Sequence, residues 1–395
     1  MEYQFSDRVL TLKPSAIREI FKYAADPAVI SLSAGNPAPE AFPVEAITEI
    51  SARIFEQRPI EALQYSVTEG YAPLRAQILS DMKKKQQIGR DFDDILITSG
   101  AQQVMDLSAK TLCNEGDTVI CEAPSFIGSL NTFRSYKVNL RGIPMEQDGM
   151  DMNELEKALK EEPRARFIYT IPNFQNPSGI TMSLEKRKQL YALAKKYQVL
   201  ILEDNPYGDL RFSGEPVATV KSLDEDGLVI YAGTFSKVIS PGMRVGYAIA
   251  PQKLLQKMIV CKQGEDVHTN IWSQLVCSEF LAKYDFEAHL QKLRAIYLKK
   301  SSLAIDALEK HLAPKITYNP IEGGLFLWCN LPAGADMQNF CKQAVLRKVC
   351  VVPGNAFLTN ENDPCQSFRI NFSTPTDENL VRGIEILGGL AKECF

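Results

Sequence analysis

The segment Phe167–Tyr207 has the sequence FIYTIPNFQNPSGITMSLEKRKQLYALAKKYQVLILEDNPY and contains the pattern that decides the fold. Its middle carries one apolar stripe, typical of a helix, at positions i, i+3, i+4 and i+7: Leu190, Leu193, Ala194 and Tyr197. Ser183 can cap the start of this helix. The short apolar runs at 167–171 and 200–203 predict buried strands on either side. A strand, a helix and a second strand in this order predict two neighbouring parallel strands.

The same alternation of strand and helix extends over residues 94–250. The predicted strands in this stretch are Ile95–Thr98, Thr118–Glu122, Phe167–Ile171, Leu200–Glu203, Leu228–Ala232 and Arg244–Ile249. This pattern predicts the α/β class, with a mostly parallel sheet covered by helices on both faces.

The two flanks of this region have different patterns. The N-terminal residues have one helix candidate around Ser15–Ala25. A long helical stretch, Asp285–His311, leads into a C-terminal region with strand candidates at Gly324–Trp328, Val349–Val352 and Phe368–Phe372. We predict an N-terminal arm (1–40) that packs with a small α+β C-terminal domain (286–395), and a large domain (41–285) between them.

Composition and charge exclude several classes of protein. The 395 residues have a formal net charge of -4, which gives no electrostatic reason to expect nucleic acid or an anionic membrane as a partner. The nine cysteines form no CxxC pair and the three histidines are dispersed, so we expect no metal site and no disulfide framework. The N-terminus lacks the apolar core of a signal peptide, and no segment has about 20 apolar residues in a row. We expect a cytoplasmic protein.

The predicted strands end in polar or glycine-containing segments, which is where ligands bind in open α/β sheets. Residues 99–102, Ser-Gly-Ala-Gln, follow one strand and open a helix whose free N–H groups suit a phosphate. An ordinary strand-to-helix turn is the alternative. Residues 173–179 follow the predicted strand Phe167–Ile171, and a simple Pro-Gly turn is the alternative there.

Two further strand ends carry ionisable residues. Glu203 and Asp204 end a buried strand, and because a buried acid is costly unless it is paired, a cationic partner is expected. An N-cap aspartate is the alternative. Lys237 ends the segment Gly-Thr-Phe-Ser-Lys, and Arg244 follows seven residues later. A lysine beside hydroxyls and an arginine suits a covalent amine–carbonyl site next to an anion, whereas a solvated surface lysine is the alternative.

Taken in order, these motifs resemble those of the fold-type I, class I and II pyridoxal-phosphate aminotransferases. The resemblance runs from Ser33–Pro37 through Leu63–Ser66 to the C-terminal third. It rests on Asn176-Pro-x-Gly, Asp204-x-x-Tyr207, Ser236-Lys237 with Arg244, and the segment Phe368–Ser373 that contains Arg369. The sequence is most similar to the branch with 2-aminoadipate, kynurenine and aromatic aminotransferases and the aminotransferase-like domains of MocR-type regulators. For the fold, the resemblance implies a seven-stranded sheet in the large domain.

The resemblance also implies a role for each residue around the cofactor, pyridoxal 5'-phosphate. Lys237 would form the Schiff base and move the substrate Cα proton, and Asp204 would pair with the ring nitrogen. Asn176 and Tyr207 would bind the ring hydroxylate. Phe126 would stack on the ring, where many relatives have a tyrosine. The phosphate would be held by Gly100, Ala101, Gln102, Thr234, Ser236 and Arg244, with side-chain as well as backbone donors in the helix turn.

Substrate and subunit contacts follow from the same resemblance. Arg369 would bind the substrate α-carboxylate as a fork, with Gly35 and Asn176 beside it. Tyr65 would reach the phosphate of the neighbouring subunit's cofactor, which implies a homodimer with shared active sites. Arg18 would meet the distal group of the substrate, and an ordinary surface arginine is the alternative. Ala101 stands where many relatives have a serine, so one side-chain donor to the phosphate is absent.

The expected reaction is transfer of an amino group from an aromatic or 2-aminoadipate-like amino acid to a 2-oxo acid such as 2-oxoglutarate. A pyridoxal-phosphate β-lyase or decarboxylase is an alternative on the same site, because the cofactor motifs are shared. A non-catalytic effector domain of the MocR type is a second alternative. Those regulators carry an N-terminal DNA-binding domain, which we do not expect here because the predicted arm begins almost at Met1.

Overall fold

The structure is a computed structural model that describes residues 3–10 and 26–395. The helix predicted around 15–25 and Arg18 lie outside these residues. The strands, numbered in chain order, are β1 (Ile30–Ser31), β2 (Asp93–Thr98), β3 (Thr118–Ala123), β4 (Asn139–Glu146), β5 (Gly149–Met150), β6 (Ala165–Thr170), β7 (Leu200–Asp204), β8 (Val229–Thr234), β9 (Gly246–Pro251), β10 (Thr317–Tyr318), β11 (Phe326–Asn330), β12 (Val349–Cys350), β13 (Val352–Pro353) and β14 (Ser367–Asn371).

Helices cover both faces of the large sheet and lie between the strands in the chain. The described α-helices are Asp7–Leu10, Val44–Gln57, Pro59–Leu63, Ala72–Gln86, Ala101–Leu112, Ile127–Ser135, Met152–Glu161, Leu184–Tyr197, Gln252–Gln263, Ile271–Lys283, Phe286–His311, Met337–Leu346 and Asp377–Cys394. The predicted cap of the helix after β6 is confirmed, since the Ser183 side chain accepts a hydrogen bond from the Lys186 backbone N–H. Leu190 and Ala194 of the predicted stripe are buried.

The large sheet is mixed and has the strand order β2-β9-β8-β7-β6-β3-β4-β5. Strands β8, β7, β6, β3 and β4 are parallel to one another, whereas β9 runs antiparallel to both β8 and β2. The α/β class is confirmed, but the expected count of seven strands was wrong, because the structure has eight. The additional strand, β5, is only two residues long and forms a short antiparallel hairpin with the end of β4. A two-residue strand leaves too little periodicity to be read from the sequence.

The parallel register brings the carboxyl ends of the central strands to one edge of the sheet. Asp204 at the end of β7 pairs with Ala232 of β8, two residues before Thr234. Thr170, the last residue of β6, pairs with Glu203. Segments that are far apart in the sequence therefore meet at this edge, where ligands of such sheets bind.

A second, smaller sheet is formed by C-terminal residues in the order β10-β11-β14-β13, with all pairs antiparallel. The long helix Phe286–His311 packs against the C-terminal helix Asp377–Cys394. Strand β1, from the N-terminal residues, pairs in parallel with β12. Arg369 lies on β14, in register with Trp328 of β11. None of the helices in the described ranges is long and apolar enough to cross a membrane.

Candidate active site

A cavity of about 370 Å³ lies at the carboxyl ends of β6, β7 and β8, facing β14 of the smaller sheet. Twelve of the residues singled out in the sequence line it: Gly35, Ala101, Gln102, Phe126, Asn176, Asp204, Tyr207, Thr234, Ser236, Lys237, Arg244 and Arg369. Residues separated by more than 300 positions in the chain thus converge on one space of the size typical of a small-molecule site.

Lys237 is partly buried at the cavity wall, and its Nζ donates a 2.7 Å hydrogen bond to the Gly35 carbonyl oxygen. Burial, and to a lesser extent the positive charges of Arg369 and Arg244, together lower the pKa of the Lys237 ammonium from 10.5 to about 8. Desolvation and like charge both disfavour the protonated form. Lys237 is therefore not a solvated surface lysine, and much more of its amine is neutral near physiological pH.

Asp204 ends β7 and is 5% exposed. Its Oδ2 accepts a 2.8 Å hydrogen bond from the Tyr169 hydroxyl, whereas its Oδ1 is buried and has no hydrogen-bond partner among residues 3–10 and 26–395. Burial raises the pKa of the Asp204 carboxyl to about 7, and the Tyr169 hydrogen bond opposes this shift. A buried carboxylate oxygen without a partner is costly, so a donor from a bound molecule is needed at this point.

For Glu203, the predicted cationic partner was wrong, whereas for Asp204 it stays a prediction. Among the described residues, no Lys or Arg side chain forms an ion pair with Glu203 or Asp204. Glu203 instead accepts hydrogen bonds from the backbone N–H groups of Val220 (2.9 Å) and Lys221 (2.7 Å). Backbone donors from a later loop satisfy the buried acid. Such donors cannot be recognised in the sequence, because they do not depend on the type of the residue.

Asn176, Tyr207 and Arg369 form one hydrogen-bonded group across the cavity. The Asn176 side chain accepts a 2.7 Å hydrogen bond from Arg369 Nη1 and donates one of 3.4 Å to the Tyr207 hydroxyl. Asn176 therefore lies in the cavity wall and contacts two other residues that line it, which a simple Pro-Gly turn does not require. The group connects the loop after β6, the loop after β7 and β14.

The guanidinium of Arg369 is held between two aromatic rings. Its Cζ lies 4.2 Å from the ring centre of Phe326 and 5.0 Å from that of Phe357. Arg369 Nη2 donates to the Ser33 carbonyl oxygen at 2.7 Å, while the buried Nε has no hydrogen-bond partner among the described residues. Burial lowers the pKa of Arg369 to about 10, so the group remains cationic at neutral pH. It is a rigid cation with an unused donor.

The turn at 99–102 and Arg244 form an anion-binding corner. Gly100 precedes the helix Ala101–Leu112 and has a φ of +82°. A Cβ at Gly100 would lie 2.3 Å from Nη2 of Arg244, whose guanidinium also donates to the Ser99 carbonyl oxygen at 3.2 Å. The first N–H groups of a helix have no acceptor within it, so this helix start and Arg244 offer donors to one anion.

The remaining predicted residues differ in what they offer the cavity. The Gln102 side-chain amide donates to the Gly128 carbonyl oxygen and the Thr132 hydroxyl, so only its backbone N–H is free for an anion. The Thr234 hydroxyl donates to that of Ser236 at 2.9 Å. Phe126 precedes the helix Ile127–Ser135 and places its ring in the cavity wall. Tyr65 does not line this cavity; it is 81% exposed.

Known proteins are similar to this chain over nearly its whole length. Residues 27–387 match the family model described as Aminotransferase class I and II. The chain belongs to the class I and II aminotransferases. It is 39% identical to aromatic-amino-acid aminotransferase 1 of Thermococcus litoralis, over 99% of this chain and 95% of that protein. It is 36% identical to the 2-aminoadipate transaminase of Thermus thermophilus, over 96% of this chain and 94% of that protein.

Solved structures are similar over the whole chain. The kynurenine aminotransferase of Pyrococcus horikoshii, solved with PMP, KYN as substrate and KYA as product, superposes with a TM-score of 0.95 at 36% identity, covering 98% of this chain and 97% of that one. The alpha-aminoadipate aminotransferase of Thermus thermophilus, in complex with N-(5'-phosphopyridoxyl)-L-leucine, has a TM-score of 0.91 at 35% identity and covers 99% and 97%.

The residues of this aminotransferase fit pyridoxal 5'-phosphate, the cofactor on which the family depends. The unpartnered Oδ1 of Asp204 suits a ring N–H, and the corner at Gly100 and Arg244 suits a phosphate. Lys237 supplies an amine between them. The enzyme is thus a pyridoxal-phosphate-dependent transferase that acts on amino acids and 2-oxo acids. In the described residues, no group of three or more His, Cys, Asp or Glu side chains could hold a metal ion.

Sequence reasoning missed four residues that shape the site: Tyr169, Ser129, Phe326 and Phe357. Tyr169 and Phe326 lie in strands, where an aromatic residue is ordinary and gives no functional signal. Ser129 lies one turn after Phe126 on the same helix, and this spacing could have indicated it. Phe357 ends a short 3₁₀ helix, Gly354–Phe357, and nothing in its local sequence points to Arg369.

Proposed function

We propose that this aminotransferase transfers the amino group of an aromatic or 2-aminoadipate-like amino acid to a 2-oxo acid such as 2-oxoglutarate. The relatives named above support this donor class, since they are aromatic-amino-acid, 2-aminoadipate and kynurenine aminotransferases. One observation carries the site assignment: Asp204 and Arg369, each with a buried polar atom that has no partner among the described residues, line one cavity together with Lys237. This combination suits a cofactor with a basic ring nitrogen and a substrate with a carboxylate.

Each cofactor contact is assigned to a residue whose surroundings support it. Asp204 Oδ1 would accept the ring N–H, and Asn176 with Tyr207 would hold the ring hydroxylate. Phe126 would stack on the ring. The phosphate would be held by the backbone N–H groups of Ala101 and Gln102 after Gly100, and by Thr234, Ser236 and Arg244.

When bound, the cofactor supplies the electron sink that makes the substrate Cα–H bond acidic. Lys237 would hold the cofactor covalently in the resting enzyme. Because burial and the nearby arginines lower the pKa of Lys237 to about 8, its Nζ would be available as a neutral base to take up the substrate Cα proton. The carbonyl oxygen of Gly35, 2.7 Å away, orients this amine.

Arg369 would bind the substrate α-carboxylate, with Gly35 and Asn176 beside it. The two aromatic rings and the Asn176 and Ser33 hydrogen bonds hold the guanidinium, so little side-chain freedom is lost on binding. Arg18, outside the described residues, would contact the distal group of the donor.

We also propose a homodimer with shared active sites. Tyr65 is 81% exposed, and nearby Ile60 and Leu63 are each 72% exposed, which is unusual for large apolar side chains grouped in one short segment. In a dimer, Tyr65 would reach the phosphate of the partner's cofactor. Sedimentation of wild type against Leu63→Glu tests the dimer, with a monomeric wild type as the contradicting result.

The division into an arm (1–40), a large domain (41–285) and a small domain (286–395) also stays a proposal. The pairing of β1 with β12 supports it, because it joins the arm to the C-terminal residues. The Asn371 backbone N–H also donates to the Leu32 carbonyl oxygen at 2.7 Å. A cytoplasmic location is supported by the nine cysteines, all of which are free, as expected in a reducing compartment.

A panel of amino acids with 2-oxoglutarate as acceptor tests the donor class. We expect aromatic and 2-aminoadipate-like donors to give the highest kcat/KM, and Lys237→Ala to abolish turnover and change the cofactor absorbance. Arg18→Ala should lower kcat/KM selectively for donors with a polar distal group. Release of ammonia and pyruvate without an acceptor, or an unaltered cofactor spectrum in Lys237→Ala, would contradict the proposal.

A further inference from the structure

We propose that Tyr169 is a positioning residue, oriented by Ser129, that holds the Asp204 carboxylate so that Oδ1 faces the ring nitrogen of the cofactor. The inference rests on the pairing of Asp204 with that nitrogen proposed above. Tyr169 and Ser129, which the sequence did not single out, would thus help to set the charge of the ring nitrogen.

The geometry of the Asp204 carboxyl group is set from one side. Tyr169 is fully buried on β6, and its hydroxyl donates a 2.8 Å hydrogen bond to Asp204 Oδ2 from the neighbouring parallel strand. The two oxygens of a carboxylate are rigidly joined, so anchoring Oδ2 also sets the direction of Oδ1. This second oxygen lies at the cavity, without a partner in the described part of the chain.

Ser129 sets the direction of the Tyr169 hydroxyl. The Ser129 hydroxyl donates to Tyr169 Oη at 2.9 Å, and both atoms are buried. A phenol has one proton to donate, so a Tyr169 hydroxyl that accepts from Ser129 has its proton left for Asp204. Phe133 packs edge-on against the Tyr169 ring, with ring centres 5.3 Å apart and an interplanar angle of 75°. The hydroxyl is held in both position and direction.

The electrostatics around Asp204 make this hydrogen bond important. Burial raises the pKa of Asp204 to about 7, and the hydrogen bond from Tyr169 is the contact that opposes it. The other ionisable groups that face Asp204 are Tyr207 and Glu122, and Glu122 is itself a buried acid whose pKa burial raises to about 7. Without the Tyr169 donor, a proton shared between Asp204 and the ring nitrogen would shift towards Asp204.

A shift of that proton would weaken the electron sink without changing how the substrate is held. Tyr169 is not among the residues that line the described cavity, so it has no direct contact to offer a substrate. We expect Tyr169→Phe to lower kcat by about 10-fold to 100-fold, the range for loss of a hydrogen bond to a charged group, with little change in KM.

The test follows the ring nitrogen directly, by NMR of holoenzyme reconstituted with ¹⁵N-labelled pyridoxal 5'-phosphate. In Tyr169→Phe we expect the ring-nitrogen resonance to move towards that of a neutral pyridine, and in Ser129→Ala to move in the same direction by less. Tyr231→Phe is the matched control. Tyr231 is a buried tyrosine on β8 whose hydroxyl accepts a 2.9 Å hydrogen bond from Asn205, so its loss should leave the resonance unchanged.

The possible outcomes separate this inference from the proposal on which it rests. If Asp204→Ala leaves the resonance unchanged, the pairing of Asp204 with the ring nitrogen is wrong. If Asp204→Ala moves it and Tyr169→Phe does not, Tyr169 has no positioning role. Should Tyr169→Phe fail to fold or to bind the cofactor, Ser129→Ala decides: a moved resonance supports the inference and an unmoved one overturns it.

Discussion

Lys237 should titrate near pH 8 in the enzyme without its cofactor, far below the usual lysine value of 10.5, because burial and then the charges of Arg369 and Arg244 disfavour its protonated form. At pH 7 a pKa of about 8 leaves about 9% of the amine neutral, whereas a pKa of 10.5 leaves about 0.03%. The site therefore holds roughly 300 times more free amine than an ordinary lysine does at this pH. This is the form that attacks a carbonyl group.

The assay is competitive acetylation of the apoenzyme with a trace of acetic anhydride, over a pH range that includes both pH 8 and pH 10.5. Mass spectrometry of the peptide that contains Lys237 gives its titration curve. Removing a nearby positive charge in Arg369→Gln should raise the pKa of Lys237. Arg382→Gln, which removes an exposed arginine of the helix Asp377–Cys394, is the matched control and should leave the curve unchanged.

The same pKa shift has a consequence for stability. Since the pKa of Lys237 is lower in the folded than in the unfolded chain, the unfolded chain binds more protons between pH 8 and pH 10.5, and stability rises with pH across this window. Below pH 8 the lowered pKa costs the folded state about 3 kcal/mol. Because methionine carries no charge, we expect the Lys237→Met apoenzyme to be more stable than wild type at pH 7 by up to about 3 kcal/mol, measured by urea unfolding.

Two results would refute this reasoning. One is a wild-type Lys237 that titrates in the usual lysine range, which would mean that the amine is solvated. The other is a Lys237→Met apoenzyme that is less stable than wild type at pH 7, which would mean that the ammonium is well accommodated in the fold.

Three further predictions concern the anion-binding corner at Gly100 and Arg244, the binding of the substrate carboxylate by Arg369, and the stability of the fold. Gly100→Ala should weaken cofactor binding by at least about 10-fold, measured by titration of the apoenzyme with the cofactor. The reason is that the added Cβ would displace Arg244 and that the φ of Gly100 is +82°. An unchanged affinity would contradict a role of this corner in binding the phosphate. Arg369→Lys should lower kcat/KM by about 100-fold, since the fork and the aromatic sandwich are lost, and equal kinetics would exclude a forked contact. Lys221→Met should cost about 3–5 kcal/mol in urea unfolding, because it leaves the fully buried carboxylate of Asp93, 2.7 Å from Lys221 Nζ, without its cation. An exposed lysine replaced in the same way should change little.

The parts of the site that lie in short, ordered motifs were readable from the sequence. Lys237, Asp204 and Asn176 each follow a predicted strand, and the parallel register of those strands brings them to one cavity, as expected. Tyr65 was predicted to act in a neighbouring subunit, and its exposure leaves this a prediction. Arg18 lies outside the described residues.

Other features followed from packing that no local pattern records. The two-residue strand β5 was missed because it is too short to show a period. Glu203 was expected to need a cation, but backbone N–H groups from a distant loop satisfy it, and every residue type except proline carries such a donor. The Gln102 side chain was expected to bind the phosphate, but it donates hydrogen bonds to the neighbouring helix Ile127–Ser135.

The sequence by itself determined the fold class and the family, and it predicted which residues meet in one cavity, because strand–helix periodicity and the order of short motifs are local properties. Tertiary structure alone decided how the charges are tuned. Burial lowers the pKa of Lys237 and raises that of Asp204, Phe326 and Phe357 enclose Arg369, and Tyr169 anchors one oxygen of Asp204. These effects depend on desolvation and on contacts between residues far apart in the chain, which exist only once the chain has folded.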